Sequence, residues 1–173
     1  MDPRYPIGKM EMPTEVSAAR RLTAIDEMAL TPAKLRAALK GLTESQLDTP
    51  YRESGWTVRQ VVHHVPDSHL NAYVRLKLAL TEEKPTIKPY NEAAWADLTD
   101  TKTTPIEVSL KLLETLHDRW DRIWRSMRQE DFHRKLMHPD HGERNVDWLA
   151  FVYEWHGKHH VAHITELRKQ KGW

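Results

Sequence analysis

A stripe of apolar side chains at helical spacing constrains the fold of this chain most strongly. It recurs every three or four residues, which is the period of one helix face. The stripe consists of Ile106, Leu110, Leu113, Leu116, Trp120, Ile123, Trp124 and Met127. It follows the sequence TPIE at 104–107, which has the pattern of a capping box with proline at the first helical position. We therefore predict a long amphipathic helix that must bury one face against other helices.

Two further helices are expected in the first half of the chain. One is predicted over about 14–41, with a kink or break at Pro32, because proline lacks a backbone N–H and clashes with the preceding turn. The other is predicted from Thr57, which forms a capping box with Gln60, to about Leu80. Alternation typical of strands is nearly absent from the sequence. An all-helical protein is therefore indicated.

A fourth helix is expected near the end of the sequence. It is predicted over about 146–169, with Asn145 as its N-cap. The connection at about 81–103 is long for a compact domain, and its NEAAWADL part predicts a short helix. A connection of that length can cross a bundle from end to end. The pattern therefore predicts an all-α four-helix bundle with long crossover connections, formed as a single domain over 1–173.

The composition excludes several classes of protein. Hydrophobic residues make up 39% of the chain and charged residues 29%, which is typical of a folded domain. The formal net charge of +1 gives no long-range field to attract nucleic acid or an anionic membrane. No apolar run approaches the ~20 residues that span a bilayer, and the first residues lack the apolar stretch of a secretion signal. We therefore expect a cytoplasmic protein with no nucleic-acid or membrane partner.

Histidine is abundant and cysteine is absent. The sequence holds 11 histidines and no cysteine, so disulfides, cysteine zinc sites and a cysteine nucleophile are excluded. A metal ion would have to be held by histidine and carboxylate side chains. Any thiol chemistry would have to use a thiol that the substrate brings.

The stretch WHGKHHVAH places four histidines on the last predicted helix. On a helical wheel, His156 and His160 lie on either side of the centre of the apolar face, whereas His159 and His163 lie nearer its edge. An i,i+4 pair of imidazoles has Cβ atoms about 5–6 Å apart and can bind one ion. The spacing leaves two alternatives to a metal site open. The histidines are either buried and hydrogen-bonded to other side chains, or they form a cluster on the surface. Burying imidazoles without partners is costly, and a metal ion would be a partner for both.

The second predicted helix offers a third ligand from its own histidines. His69 lies inside the apolar stripe of that helix, His64 at the flank of the stripe and His63 well away from it. A polar seam beside the stripe contains Gln60, His64, Ser68, Asn71 and Arg75. The seam is either one wall of a pocket or a hydrated boundary. Periodicity therefore leaves His64 and His69 open and slightly favours His69 as a core residue.

The order and separation of several motifs resemble those of a known family. The motif of the second helix is GWTVRQVVHHVPDSHLNAYVRLKLAL, and it is followed by HPDHGERNVDWLAFVYEWHGKHHVAHI. The segments RYPIGKMEMP and IKPYNEAAWADL fit the same pattern. The chain resembles the DinB-like superfamily, most closely its YfiT branch of metal-dependent hydrolases. The resemblance covers nearly the whole chain.

The resemblance implies a set of metal ligands. Members are four-helix bundles that bind a divalent metal, zinc or nickel, through one histidine of the second helix and an H-x3-H pair of the last. The family histidine follows the tryptophan that opens the second helix by eight residues, and here Trp56 leads to His64. The pair corresponds to His156 and His160, in agreement with the wheel. His163 stands where the family usually has glutamine, so it is either a ligand or a neighbour of the site.

The resemblance also implies the chemistry. Three neutral imidazoles and an open position are typical of a catalytic metal site, in which the ion lowers the pKa of a bound water and polarises a carbonyl. We therefore expect a metal-dependent hydrolase that acts on a small-molecule substrate. One alternative is a metal-dependent S-transferase that activates a low-molecular-weight thiol such as bacillithiol, as some DinB-like proteins do. The other is a metal- or ligand-binding module without turnover.

Further residues are candidates for the pocket and for an interface. The pocket candidates are Ser68, Asn71, Arg75 and His163. Arg75 would bind a substrate carboxylate, although a solvated cation at the helix boundary is favoured over that role. Trp148 and Trp155 lie off the buried centre of the last helix. Together with the resemblance, their placement predicts a homodimer.

Overall fold

The structure, a computed structural model, describes residues 2–173. Over this range the chain forms eight α-helices, one 3-10 helix and a two-stranded antiparallel sheet. The α-helices are α1 (Ala18–Ala29), α2 (Thr31–Leu39), α3 (Glu44–Leu47), α4 (Val58–Thr81), α5 (Glu92–Ala96), α6 (Thr99–Thr103), α7 (Ile106–Ser126) and α8 (Val146–Lys171). The 3-10 helix is Gln129–His133, and the strands are β1 (Lys135–His138) and β2 (Gly142–Asn145). The bundle consists of the α1–α2 arm, α4, α7 and α8, which confirms the predicted fold class.

The first predicted helix is an arm made of two helices. It begins later than predicted, at Ala18, because the Ser17 hydroxyl caps it by accepting the Arg20 backbone N–H at 3.2 Å. The predicted break occurs at Leu30, between the two helices. Pro32 then lies in the first turn of α2, where its missing N–H costs nothing.

The starts of α4 and α8 follow the predicted caps. Thr57 and Gln60 form a reciprocal capping box, with the Gln60 side chain accepting the Thr57 N–H at 2.9 Å. The Asn145 side chain accepts the Trp148 N–H at 3.1 Å and caps α8. Because each cap fixes where its helix begins, it also fixes on which face of the helix the following histidines lie.

The predicted capping box of α7 is wrong. The helix begins at Ile106 after Pro105, and no side chain caps it. The Glu107 carboxylate instead accepts two hydrogen bonds from the Arg36 guanidinium, at 2.9 and 3.1 Å. The ion pair therefore ties α7 to α2, and the sequence pattern could not reveal this competing partner.

The segment that connects α4 to α7 contains two short helices. The predicted NEAAWADL helix is present as α5, capped by the Asn91 side chain, which accepts the Ala94 N–H at 2.9 Å. Before α5, the segment forms a β-bridge between Thr86 and Met137 that joins it to β1. β1 and β2 form a hairpin that the sequence analysis did not predict, because strands of four residues are too short to show alternation.

The core has two apolar clusters at opposite ends of the bundle. One contains Ile25, Met28, Ala72, Tyr73, Leu76, Ala79, Ile87, Leu116, Trp120, Trp124, Phe132, Leu136, Val146, Leu149, Ala150 and Tyr153. The other contains Leu35, Ala38, Leu39, Leu47, Val58, Val61, Val62, Val65, Leu110, Leu113, Ile164 and Leu167. The first halves of α4 and α7 both lie in the second cluster, so these helices run in the same direction and α8 runs opposite to them. The long connection therefore crosses the bundle, as expected.

A layer of buried histidines separates the two clusters. Its members are His64, His69, His117, His159, His160 and His163, each less than a tenth exposed, together with half-buried His156. They come from α4, α7 and α8. The layer places polar rings at the middle of the bundle, where burial is costly unless each ring finds a partner.

Candidate metal centre

Three imidazoles of this layer converge on one point. His64 from α4 meets His156 and His160 from α8, and one ring nitrogen of each lies within 4.8 Å of the others. Nε2 of His64 is 3.3 Å from Nε2 of His156. The rings of His156 and His160 are one helical turn apart, with centroids 4.5 Å from each other. The structure thus brings together the three residues that the resemblance named as ligands.

Close helix packing holds this part of α8 against the α1–α2 arm. Gly157 lies between the two α8 histidines, and a Cβ placed there would be 2.8 Å from Cγ2 of Thr31 and 3.2 Å from its Cβ. Glycine is therefore needed for the approach of α2, despite its cost within a helix. On the other side Trp56 packs on His64, with ring centroids 4.6 Å apart.

Burial keeps the three rings neutral. It lowers the pKa of His64 to about 4, and the neighbouring His163 lowers it further. Burial also lowers the pKa values of His156 and His160 well below the usual range, and the neighbouring imidazoles lower them further. A neutral imidazole carries a lone pair on one nitrogen. All three side chains can therefore act as ligands at neutral pH.

The donor set fits a divalent transition metal. Three neutral imidazole nitrogens suit zinc, nickel, copper or iron better than the oxygen-loving magnesium or calcium. The nitrogens of His64 and His156 face each other, and a cation between them would satisfy both lone pairs. The site therefore fits the metal that the family resemblance implies, with His64, His156 and His160 as the residues that would hold it.

A second set of histidines surrounds the three. Nδ1 of His156 is 3.1 Å from Nε2 of His69, and Nδ1 of His69 is 2.8 Å from Nε2 of His117. Nδ1 of His160 is 3.4 Å from Nδ1 of His163. His69 is fully buried, as its position in the apolar stripe predicted, but it also touches the site. His163 is a neighbour of the site whose ring faces His160.

The N-terminal segment, residues 2–12, covers the edge of α8 that the wheel placed near solvent. The Arg4 carbonyl lies 3.3 Å from Nε2 of His163, and the Tyr5 ring lies 6.1 Å from the ring of His159. His159 and His163 are therefore buried, at 7% and 4% exposure. A wheel shows only the helix itself, so it could not include this cover.

The polar seam of α4 meets α8 one turn away from the three histidines. Ser68, one turn after His64, is buried and lies close to the Tyr153 hydroxyl. That hydroxyl accepts a hydrogen bond from Arg75 at 3.4 Å, and Arg75 also donates to the Lys88 carbonyl at 3.0 Å. Arg75 is only 9% exposed, so the expectation of a solvated cation is wrong.

Asn71 and the two tryptophans are placed differently from the other candidates. The Asn71 amide donates to the Asp67 carbonyl one turn earlier in α4, at 2.9 Å, a bond that does not involve the histidines. Trp155 donates to the Gly8 carbonyl at 3.1 Å, and Trp148 packs against His138 of the hairpin. Contacts within the chain thus account for both tryptophans, and the homodimer stays a prediction.

His117 is a further member of the layer that was not predicted from the sequence. It lies within the apolar stripe of α7, four residues after Leu113 and three before Trp120, and it is 4% exposed. A histidine inside an apolar stripe is a signal that the sequence contains. Its partner could not be found from the sequence, because His69 lies on another helix.

Comparison with known proteins identifies the family. The model of the DinB superfamily matches residues 27–164. The chain belongs to the DinB superfamily. Among its DinB relatives are proteins of Bacillus cereus (strain AH820) and Bacillus anthracis (strain A0248), each named a "Putative metal-dependent hydrolase". Both are 51% identical to the chain over 172 residues, which is 99% of the chain and 99% of each relative.

A solved DinB-like structure has the same fold. It is YfiT from Bacillus subtilis, described as "a probable metal-dependent hydrolase with an unusual four-helix bundle topology". The TM-score is 0.95 at 46% identity, and the match covers 100% of this chain and 99% of YfiT. The resemblance to the YfiT branch is therefore confirmed. No helix within residues 2–173 is both long and apolar enough to cross a membrane.

Proposed function

We propose that this protein is a metal-dependent hydrolase that holds one divalent ion, zinc or nickel, on His64, His156 and His160. The observation that supports the proposal most directly is the convergence of three buried ring nitrogens within 4.8 Å. The names of the DinB relatives support the same activity. Three protein ligands would leave a position of the ion open, as in catalytic rather than structural zinc sites.

The bound ion would lower the pKa of a water molecule and polarise a substrate carbonyl. The chain itself supplies the environment for this chemistry. Three neutral ligands leave the charge of the ion uncompensated, which strengthens its pull on a nearby oxygen. Trp56 shields His64 from water on one side of the site. The apolar clusters above and below the histidine layer lower the local dielectric, so the charge acts strongly.

Three polar side chains beside the site, Ser68, Arg75 and Tyr153, form the proposed place for a small-molecule substrate. Tyr153 lies one turn from His156, with ring centroids 5.5 Å apart, and its hydroxyl is held by Arg75. Ser68 lies one turn from His64 on the facing helix. These side chains would orient a polar substrate through hydrogen bonds. Arg75 adds a buried positive charge that suits a substrate with an anionic or carbonyl group.

The test is an activity assay on protein that carries no histidine tag. Metal is first removed with a chelator, and zinc, nickel or cobalt is then added before assay on esters, amides and thiol-conjugation substrates. We expect hydrolysis only in metal-loaded protein and loss to background in His64→Ala and His160→Ala. His141→Ala is the matched control, because His141 is exposed in the hairpin turn.

Three results would contradict the proposal. Hydrolysis that persists in metal-free protein would show that the ion takes no part in the reaction. Acceleration of thiol conjugation alone would replace hydrolysis with thiol transfer at the same ion. Binding of metal without turnover of any substrate class would favour a module that binds metal without catalysis.

A further inference from the structure

Both α8 histidines of the proposed metal site contact another imidazole through Nδ1. Nδ1 of His156 meets Nε2 of His69 at 3.1 Å. Nδ1 of His160 meets Nδ1 of His163 at 3.4 Å. In known metal sites the ring nitrogen of a ligand histidine that does not bind the ion usually donates to a carboxylate, a carbonyl or water. Here a second imidazole takes that position in both cases.

Each of these contacts belongs to a series of imidazoles that ends beside the backbone. The longer series continues from His69 to His117 at 2.8 Å and ends with His117 beside the Met28 backbone. The shorter series ends where Nε2 of His163 meets the Arg4 carbonyl at 3.3 Å. A carbonyl oxygen can only accept hydrogen bonds. His163 must therefore donate to Arg4, and a bond to the Met28 carbonyl would require the same of His117.

The carbonyls at the two ends decide the direction of the bonds in both series. A neutral imidazole has one donor and one acceptor nitrogen. A donation from Nδ1–H of His117 to the Met28 carbonyl makes Nε2 of His117 the acceptor of Nδ1–H of His69. The Nε2 of His69 must then accept from Nδ1–H of His156. By the same reasoning, His163 donates from Nε2 and accepts at Nδ1 from His160.

The result is the same for both ligands. His156 and His160 carry their proton on Nδ1, and Nε2 is left as a bare lone pair. Nε2 of His156 is the atom that faces His64. In each series of imidazoles, the carbonyl at one end and a metal ion at the other require the same tautomer of the ligand. That tautomer carries its proton on Nδ1 and leaves Nε2 free.

We propose that His69, His117 and His163 are positioning residues that hold His156 and His160 as Nδ1–H tautomers with Nε2 directed at the metal. The proposal rests on the proposed function for the identity of the ion, but not for the tautomers. Imidazole partners are neutral, so they orient the ligands without adding negative charge. The full charge of the ion is thereby kept for the substrate.

The first test measures the tautomers in metal-free protein. Long-range proton–nitrogen NMR of uniformly ¹⁵N-labelled protein distinguishes a protonated from a bare nitrogen in each ring. We expect Nδ1–H in His69, His117, His156 and His160, and Nε2–H in His163, which acts as an internal contrast. Nε2–H in His156 or His160 would overturn the proposal, whether or not the protein binds metal.

The second test compares leucine with glutamine at the positioning residues. Glutamine can accept through its oxygen and donate through its amide, so it can replace an imidazole in the series, whereas leucine cannot. Zinc affinity, measured by competition with a chromophoric chelator, should fall about 10–100-fold in His69→Leu and His163→Leu. His69→Gln and His163→Gln should retain most of the affinity. His141→Leu, in the exposed turn, is the control and should bind as the unaltered protein does.

The outcomes separate this inference from the proposed function. Unchanged zinc affinity in both leucine variants would overturn the positioning role. Equal losses in the leucine and glutamine variants would also overturn it, since they would show that only the shape of histidine matters. Absence of zinc binding in the unaltered protein would contradict the metal site, while the tautomers would still decide the direction of the bonds in the two series.

Discussion

Acid should unfold the metal-free protein through its histidine layer. Burial lowers the pKa of His64, His117 and His163 to about 4 and that of His159 to about 3, from the ordinary value of 6.5. The unfolded chain therefore binds more protons than the folded one below pH 6.5. Stability is fully present above pH 6.5 and is lost as the pH falls toward 4.

The size of the effect follows from these pKa values. Between pH 7.5 and pH 5, each of the four histidines removes about 2 kcal/mol of stability, or about 8 kcal/mol together. Asp67 acts in the opposite direction, because burial raises its pKa to about 6, and it offsets about 1 kcal/mol at pH 5. Domains of this size are stable by about 5–15 kcal/mol. Burial also lowers the pKa values of His69, His156 and His160, which act in the same direction. The loss is therefore large enough to unfold the metal-free protein near pH 5.

Urea unfolding followed by circular dichroism measures this loss directly. The free energy of unfolding is compared at steps from pH 7.5 to 5 with a chelator present. His159→Leu should lessen the fall by about 2 kcal/mol at pH 5, since Nδ1 of His159 is buried without a partner among residues 2–173. His133→Leu is the control, because the His133 side chain is 64% exposed. A free energy that stays constant from pH 7 to 5 would refute the account of a buried, neutral histidine layer.

Two further predictions concern packing and ion pairs around the site. Gly157→Ala should destabilise the protein by about 1–3 kcal/mol through the clash with Thr31. In thermal unfolding, the double variant with Thr31→Ala should recover part of this loss. Additive losses from the two substitutions would contradict the contact. The buried Arg21 guanidinium donates to the Asp147 carboxylate at 2.5 and 2.9 Å. Asp147→Ala should lower the free energy of unfolding by about 3–5 kcal/mol, because it leaves that guanidinium without its carboxylate partner. The exposed ion pair of Asp118 and Arg122 is the comparison. Asp118→Ala should lower the free energy of unfolding by less than about 1 kcal/mol. Similar losses in the two variants would contradict the difference expected between a buried and an exposed ion pair.

The sequence predicted the helices well where a local signal determined them. The Thr57 capping box and the Asn145 cap depend on residues within one turn, and both are present. The Glu107 capping box failed because Arg36, on a distant helix, takes the same carboxylate. Short-range patterns therefore hold until a tertiary partner competes for the same side chain.

The three histidines of the candidate site were predictable from the sequence, whereas the residues around them were not. Helical spacing placed His156 and His160 on one face, and the family resemblance selected His64 over His69. The contacts of His69 with His117 and of His163 with Arg4 join segments far apart in the chain. Such contacts depend on how helices are arranged in space, which periodicity within one helix does not contain.

The most direct test of the proposed metal centre is a crystal grown with zinc or nickel and measured at the absorption edge of that metal. We expect one anomalous peak per chain, about 2.0–2.1 Å from a ring nitrogen of each of His64, His156 and His160. Nε2 should be the coordinating atom of both α8 histidines. A peak bound by other side chains, or rings that stay in mutual hydrogen bonds at saturating metal, would contradict the proposed metal centre.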